Sequence, residues 1–406
     1  MIKSLKSVAI YLLSYLVAHI LLVPVVQSYF CVDLKLVELG LITLVFGIAI
    51  VNSKQIILEK SDIIIIFLLA FLNIYYTFVE LRGLIFFKMT YVLFLAIILS
   101  KVILPYISSK TYLRKIDTIY LIVLIGLVAE YLILFFLGDA ILIDSFMCHG
   151  EETGVRGYIP HHNITKDILP FHITGLNSIM MGTQTASELA VIIFIRYFYK
   201  YRINPVEIYR NLGLLAIFML ILSPTLTSIL LLFVSISIIY LIDLGGTFDK
   251  KIRNFYKVYI VLFITVIFIY IAVELLTYRY SSLDYIYEKY IFNNITGFGY
   301  FSLKEILFGI SLERENELFT VGEISFLKQL LLYGFMGVGV FYISILYYVT
   351  RALRSVNIVA LTSNIIVLAI FILGNIHYPV MFNIGVMELF ALHLAYIIYH
   401  GSYIKK

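Results

Sequence analysis

The chain has 406 residues, of which 62% are hydrophobic and only 14% are charged, and its mean hydropathy is +1.00. Soluble domains are typically about 45–50% apolar, so this composition excludes an ordinary soluble enzyme and predicts a polytopic membrane protein. The formal net charge is +5. The only two cysteines, Cys31 and Cys148, form no CxxC motif, which argues against a metal or redox site built on cysteine.

Apolar segments bounded by charged residues predict an all-α fold with about 12 transmembrane helices in a single integral membrane domain over residues 1–406. The first apolar run follows a basic head but is too long for a typical cleaved signal, so we expect it to be the first transmembrane helix. The predicted spans lie near 8–30, 36–51, 62–79, 86–104, 116–137, 185–200, 208–222, 225–243, 255–277, 324–349, 356–375 and 380–400.

The distribution of Lys and Arg predicts the orientation of these helices. With a cytoplasmic N-terminus, 20 of the 30 basic residues fall in or beside short cytoplasmic connections and 10 fall outside, in much longer loops. The positive-inside rule therefore predicts that both termini are cytoplasmic. Two long loops, 138–184 and 278–323, then lie on the external face together with both cysteines, which leaves either a disulfide or two unrelated thiols.

The first long loop contains candidate ligand-binding residues. Arg156 is next to Gly157, an arrangement that allows close bidentate contact with a phosphate; the alternative is a surface arginine held by Glu151 or Glu152. The loop also contains His149, His161, His162 and His172. Their spacing matches no zinc signature, so we expect them to form hydrogen bonds within the loop or with sugar hydroxyls, and we expect no metal site.

The second long loop is the most polar block of the chain, and it has one candidate functional residue at each end. Arg279 follows a predicted span, where it could contact lipid headgroups or clamp a pyrophosphate. Glu323 precedes the next span, where it could cap a helix or act as a general base. The acidic run from Glu313 to Glu317 is typical of a solvated surface.

Two further features fall at predicted external helix ends. Pro224 in LSPTLTS breaks an apolar run, and Ser223 or Thr225 could cap the following helix; this is either a tight turn or a helix N-terminus that faces an anion. His377, in GNIHYP, could transfer a proton or contact a phosphate. Polar residues within the predicted spans need partners because burial in a membrane is costly: His19, Asn73, Glu130, Glu188, Glu274, Glu388 and His393.

The chain resembles the O-antigen polymerase and ligase superfamily of bacterial inner membranes. The resemblance rests on the helix layout with two long loops, LSPTLTS, Arg279 at the end of a span, LFGISLERENELFTVGEISFLKQLLLYGFMG, and the HYP turn before the last span. Ligase members have a histidine eleven residues before the glycine that corresponds to Gly334. This chain has Glu323 there, which favours a polymerase.

The resemblance implies a GT-C-like glycosyltransferase that needs no cofactor. It would transfer a growing glycan from undecaprenyl pyrophosphate to a sugar hydroxyl of an incoming lipid-linked unit at the periplasmic face, and a chain-length regulator could be a partner. The assigned roles are catalytic for Glu323 (base) and His377 (support), and pyrophosphate binding for Arg156, Arg279 and Arg314. Arg82, Lys88, His161, His162, Tyr280 and Tyr378 are weaker candidates for substrate contacts, and no nucleic acid is expected.

Two alternatives stay open at this point. An O-antigen ligase would transfer the glycan to lipid A core. A lipid-linked oligosaccharide flippase would need several charges deep in the bilayer and helices broken near its middle; the sequence instead concentrates its charges at external helix ends, which favours an enzyme.

Overall fold

The computed structural model describes residues 2–30, 58–79, 83–137, 183–222, 225–245, 302–309, 325–353, 358–377 and 385–402. Within these ranges every regular element is a helix. Ten helices have 16 or more residues, and a short one lies between them in the chain. They are α1 (Ile2–Phe30), α2 (Lys60–Phe78), α3 (Gly83–Ile98), α4 (Ser109–Leu137), α5 (Thr183–Ile203), α6 (Glu207–Leu222), α7 (Leu226–Gly245), α8 (Leu303–Phe308), α9 (Ser325–Leu353), α10 (Ile358–His377) and α11 (Val386–Ser402). A π-helical turn, Leu99–Ile103, and a short 3-10 turn, Leu104–Tyr106, follow α3.

The ten long helices coincide with ten of the twelve predicted spans. The other two, near 36–51 and 255–277, lie outside the described residues, as do most of the two long loops and both cysteines. The all-α class is confirmed for the described part of the chain. The total of twelve spans, the GT-C-like arrangement and the loop boundaries stay predictions.

Among the described residues, five helices are long and apolar enough to cross a membrane: Lys6–Val23, Lys60–Phe78, Met89–Tyr106, Ser109–Ile133 and Leu332–Leu353. The distribution of side chains on α2 shows the same character. Phe67 and Phe71 are exposed, whereas the carboxylate of Asp62 is fully buried. Apolar side chains that face outward and charges that face inward are the reverse of a soluble fold, so the chain is a membrane protein.

Contacts between helix ends show an antiparallel bundle. The N-terminal part of α5 meets the C-terminal part of α10, while Arg196, later in α5, meets Ser363 and Asn364 near the start of α10. We call these levels the Glu188 end and the Arg196 end of the bundle. The Arg196 end contains the basic side chains predicted to be cytoplasmic, among them Lys101, Lys200 and Arg351. Which side of a membrane it faces stays a prediction.

Arg196 is the centre of a buried polar network. It is 2% exposed, its Nε donates to Asp117 Oδ1 on α4 at 3.1 Å, and one Nη1 donates to Ser363 Oγ at 2.8 Å and Asn364 Oδ1 at 3.4 Å. Asp117 also pairs with Lys200. Because lipid offers no polar partners, this network ties α4, α5 and α10 together.

His393 extends the network to α11. Its Nδ1 donates to Asn364 Oδ1 at 2.8 Å, which leaves Nε2 to accept from Tyr120 OH on α4 at 2.6 Å. Both ring nitrogens are thus satisfied by a neutral imidazole.

A second ionic cluster joins α2, the π-helical turn and α9 at the same end. The buried Asp62 carboxylate lies 3.0 Å from Lys101 Nζ and accepts a hydrogen bond from Tyr348 OH at 2.9 Å. Arg351 pairs with Glu59, and its Nε donates to the Gly401 carbonyl on α11 at 3.1 Å. Both ionic clusters thus lie at the Arg196 end of the bundle. That charges gather at the external helix ends stays a prediction, as does the orientation.

We expect Arg196→Ala to lower the free energy of unfolding by about 3 kcal/mol or more, because it removes one partner from a buried ionic network. Arg210→Ala is the matched control. Arg210 is about half exposed, and its printed contacts are with neighbours on its own helix, Glu207 at 3.7 Å and Asn211 Oδ1 at 3.4 Å, so its loss should cost less than about 1 kcal/mol. Denaturation midpoints of both variants in detergent micelles measure the difference, and equal midpoints would contradict the assignment.

Candidate functional site at the Glu188 end

Most of the residues that the sequence predicts to be functional lie outside the described residues: Arg82, Arg156, His161, His162, Arg279, Tyr280, Arg314, Glu323 and Tyr378. For Lys88 and His377 the structure describes the helix but not the side chain. Lys88 lies in the second turn of α3, and His377 is the last residue of α10. The candidate site described below therefore consists of the described residues near α8, the start of α9 and the end of α10.

Two glycines bring the ends of a long sequence motif together. Gly309 ends α8 with φ 93° and ψ 168°, and Gly334 kinks α9 with φ 60° and ψ −175°. Only glycine adopts this region readily. A β-carbon on Gly309 would collide with the backbone of Leu332 and Tyr333, and one on Gly334 with the backbone of Leu307 and Phe308. The LFG and YG ends of the motif are therefore in direct backbone contact.

Aromatic side chains pack around this contact. The Phe308 ring lies 4.6 Å from Tyr75, and Phe86 lies 4.3 Å from Tyr76 and 5.1 Å from Tyr333. Tyr76 OH donates a hydrogen bond to the Tyr333 carbonyl beside the kink. These contacts hold α8 against α2, and they hold α3 against α2 and α9.

A buried amide and phenol lie further along the same helices. Asn375 Nδ2 donates to Tyr342 OH at 2.9 Å, and Tyr342 OH donates to Gln329 Oε1 at 3.3 Å. Asn375 is fully buried, yet its Oδ1 has no hydrogen-bond partner among the described residues. The cluster joins α9 to the last turn of α10, two residues before His377.

Glu188 is the second polar group at this level. A β-carbon added to Gly374 would lie 2.7 Å from Glu188 Cδ and 2.9 Å from Oε1, and closer still to Oε2. The carboxyl therefore occupies the notch that Gly374 leaves in α10. It is fully buried, and neither oxygen has a hydrogen-bond partner among the described residues. His377 lies three residues beyond Gly374, about 4.5 Å of helix rise from this contact.

The break at LSPTLTS is confirmed, since α6 ends at Leu222 and α7 begins at Leu226. Thr225 caps α7, because its Oγ1 accepts from Ser228 N at 3.2 Å while Thr225 N donates to Ser228 Oγ at 3.1 Å. The Thr225 hydroxyl also lies 3.0 Å from Ser187 Oγ. The start of α7 thus meets α5 beside Glu188.

Most of the polar residues within predicted spans have the partners that burial demands. Asn73 Nδ2 donates to Thr90 Oγ1 at 2.8 Å, and Glu388 Oε2 accepts from Gly385 N at 2.8 Å with His19 Nε2 at 3.9 Å from its other oxygen. Glu188 is the exception, and Glu274 lies outside the described residues.

The chemistry available at the Glu188 end is that of acids, amides and hydroxyls. Among the described residues no group of three or more His, Cys, Asp or Glu could hold a metal ion. A carboxyl can gain or lose a proton. Both a carboxyl and an amide oxygen can accept hydrogen bonds from hydroxyl groups.

Sequence reasoning identified Glu188 as costly to bury but missed its contact with Gly374. It also missed the backbone contacts of Gly309 with Leu332 and of Gly334 with Leu307. Both glycines belong to the quoted motif. The sequence does not show which glycines have a positive φ, because glycine adopts positive and negative φ about equally readily.

In the part of the chain that the structure describes, the fold defines a polytopic α-helical membrane protein whose bundle has buried ion pairs at one end. No family model, no curated protein and no solved structure matches the chain. The resemblance to the O-antigen polymerase superfamily therefore rests on its quoted motifs.

We expect Gly309→Ala and Gly334→Ala each to lower the free energy of unfolding by about 2–4 kcal/mol, because both force a strained backbone and a collision. Gly339→Ala is the control: it lies in the same helix as Gly334, and an added β-carbon has no atom within 4 Å. Thermal denaturation of the purified variants measures this, and a Gly339→Ala midpoint as low as the other two would contradict the packing.

Proposed function

We propose that the protein is an O-antigen-polymerase-type glycosyltransferase that acts on undecaprenyl-pyrophosphate-linked glycans at the external face of a bacterial inner membrane. The observation that carries the proposal is the backbone contact between Gly309 and Leu332 and between Gly334 and Leu307. It joins the two ends of the motif on which the family resemblance rests. The segment between them contains Arg314 and Glu323.

The position of this contact in the bundle supports the same proposal. The Gly309–Gly334 contact, the Gln329–Tyr342–Asn375 cluster, Glu188 and the backbone of His377 all lie at the end of the bundle away from the ionic clusters. An enzyme that works on one face of a membrane needs the groups that contact its substrates on that face.

The proposed reaction needs neither a nucleotide nor a metal, because the leaving group is already activated. Glu323 takes the proton of the acceptor hydroxyl, whose oxygen attacks the anomeric carbon of the donor glycan. The bond from that carbon to the pyrophosphate oxygen breaks, and undecaprenyl pyrophosphate leaves. Arg156, Arg279 and Arg314 would neutralise the charge that develops on it. His377 would support the base or the phosphate.

A lipid-linked oligosaccharide flippase is the second candidate, and the buried ionic clusters favour it. Arg196, Asp62 and Lys101 are charged groups inside the bundle, as expected for a transport pathway. Their partners satisfy them and their helices continue through them, which favours a structural role.

Purified protein supplied only with lipid-linked repeat units tests the proposal. We expect a ladder of longer lipid-linked glycans, resolved by electrophoresis. A product that forms only when lipid A core is added would indicate a ligase instead. Movement of the substrate across vesicles without elongation would indicate a flippase.

Within that assay, Arg279→Ala and Glu323→Ala should each reduce ladder formation at least about 100-fold while leaving the amount of inserted protein unchanged. Arg210→Ala, an exposed arginine at the ionic end, is the control and should retain activity. Full-length ladders from Glu323→Ala would show that Glu323 is not the base.

A further inference from the structure

Glu188 is a buried carboxyl that the proposed reaction does not use. It is the sixth residue of α5, 0% exposed, and neither oxygen has a hydrogen-bond partner among the described residues. Its oxygens lie against the backbone of α10 at Gly374, with no room for a methyl group between them. A water or cation therefore has no space on that side.

Within the described residues, the helices that pack against α5 have no Lys or Arg at the level of Glu188. On α5 itself, Arg196 and Lys200 are eight and twelve residues away, about 12 and 18 Å of helix rise, and both pair with Asp117. The charged or titratable residues of the packed helices, Tyr aside, are Lys110, Arg114, Lys115, Asp117 and Glu130 on α4, Glu207 and Arg210 on α6, Asp243 on α7 and His377 on α10. The Lys and Arg residues among them belong to the first two turns of α4 and α6, which start at the Arg196 end, whereas His377 is the last residue of α10, three residues beyond Gly374.

The C-terminal end of α10 disfavours a negative charge on Glu188, and the start of α7 does not supply it with a hydrogen-bond donor. Gly374 is the fourth residue from the end of α10, and a helix C-terminus carries partial negative charge. The N-terminus of α7 lies close, but Thr225 and Ser228 cap each other's N–H groups, and Thr225 contacts Ser187. Neither helix end supplies a donor to the carboxyl.

A protonated Glu188 side chain is compatible with these surroundings, whereas an ionised one is not. An ionised carboxylate buried without a partner costs several kcal/mol. A protonated carboxyl is itself a donor, and the last four carbonyls of a helix have no intrahelical partner. Glu188 lies against Gly374, one of the last four residues of α10, in the turn where helix carbonyls have no intrahelical donor.

We propose that Glu188 is protonated at neutral pH and donates its hydrogen bond to the last turn of α10. This makes it a positioning residue for the helix end that bears His377. The inference stands on the packing of α5 against α10 and does not depend on glycan transfer.

Infrared spectroscopy of the full-length protein in lipid tests the protonation state directly. The wild-type spectrum should contain the carbonyl-stretch band of a protonated carboxylic acid that is missing in Glu188→Gln. Glu388→Gln is the matched control, because Glu388 is equally buried but accepts from Gly385 N and lies near His19. Its substitution should leave the band in place. Identical wild-type and Glu188→Gln spectra in this region would overturn the proposal.

A hydrophobic carbodiimide provides a chemical test, because it reacts with protonated carboxyls in apolar surroundings. The carboxyl O–H adds across a C=N bond of the reagent, and the O-acylisourea rearranges to a stable N-acylurea without loss of any atom. Mass spectrometry should find the adduct on the peptide that contains Glu188, in excess over the peptide that contains Glu388. Labelling of Glu388 in preference to Glu188 would overturn the proposal.

The positioning role of Glu188 is tested separately, by the thermal midpoint and the ladder activity of two variants. The amide of Glu188→Gln can also donate to a carbonyl, so this variant should keep the thermal midpoint and the ladder activity. Glu188→Ala should lose both. A Glu188→Gln midpoint as low as that of Glu188→Ala would mean that the carboxylate is ionised and paired, against the proposal. A wild-type protein with the infrared band but without ladders would contradict the proposed function alone.

Discussion

Arg196 joins α5 to α4 and α10 from inside the bundle, where it is only 2% exposed. Lipid gives helices no hydrophobic reason to associate with one another, so polar contacts and close backbone approach decide how they pack. Asp117, Ser363 and Asn364 satisfy the guanidinium, and His393 carries the network on to α11 and back to Tyr120 on α4. Since each of these groups would be costly to bury alone, the four helices are held in one register.

That register determines what lies at the other end of the bundle. Eight residues separate Arg196 from Glu188 along α5, about 12 Å, and ten separate Asn364 from Gly374 along α10, about 15 Å. The two distances are similar enough for one antiparallel alignment to satisfy both contacts, with the long arginine side chain covering the difference. Glu188 therefore lies in the Gly374 notch because the ionic end fixes how α5 and α10 slide past each other.

The two ends of the bundle differ in chemistry. The Arg196 end contains satisfied ion pairs, which stabilise packing and leave little capacity to bind a ligand. The Glu188 end contains the backbone contacts of Gly309 and Gly334, together with two buried groups, Glu188 and Asn375, that have oxygens without a hydrogen-bond partner among the described residues. The proposed transfer reaction requires such an end, because both its substrates are lipid-linked and reach the protein at the membrane surface.

The amino-acid sequence was enough for the all-α membrane class and the approximate limits of the ten described long helices, and it narrowed the cap of α7 to Ser223 or Thr225, because hydropathy and capping depend on neighbours along the chain. It also showed that His19, Asn73, Glu388 and His393 need partners, without showing which. The tertiary structure alone decided that Arg196, counted from the sequence as a cytoplasmic charge, is a buried link, that Glu188 meets Gly374, and that Gly309 meets the kink at Gly334. These contacts join residues that are far apart in the chain. They depend on how the helices are aligned with one another and on the backbone conformation of single residues, and neither can be read from neighbouring residues in the sequence.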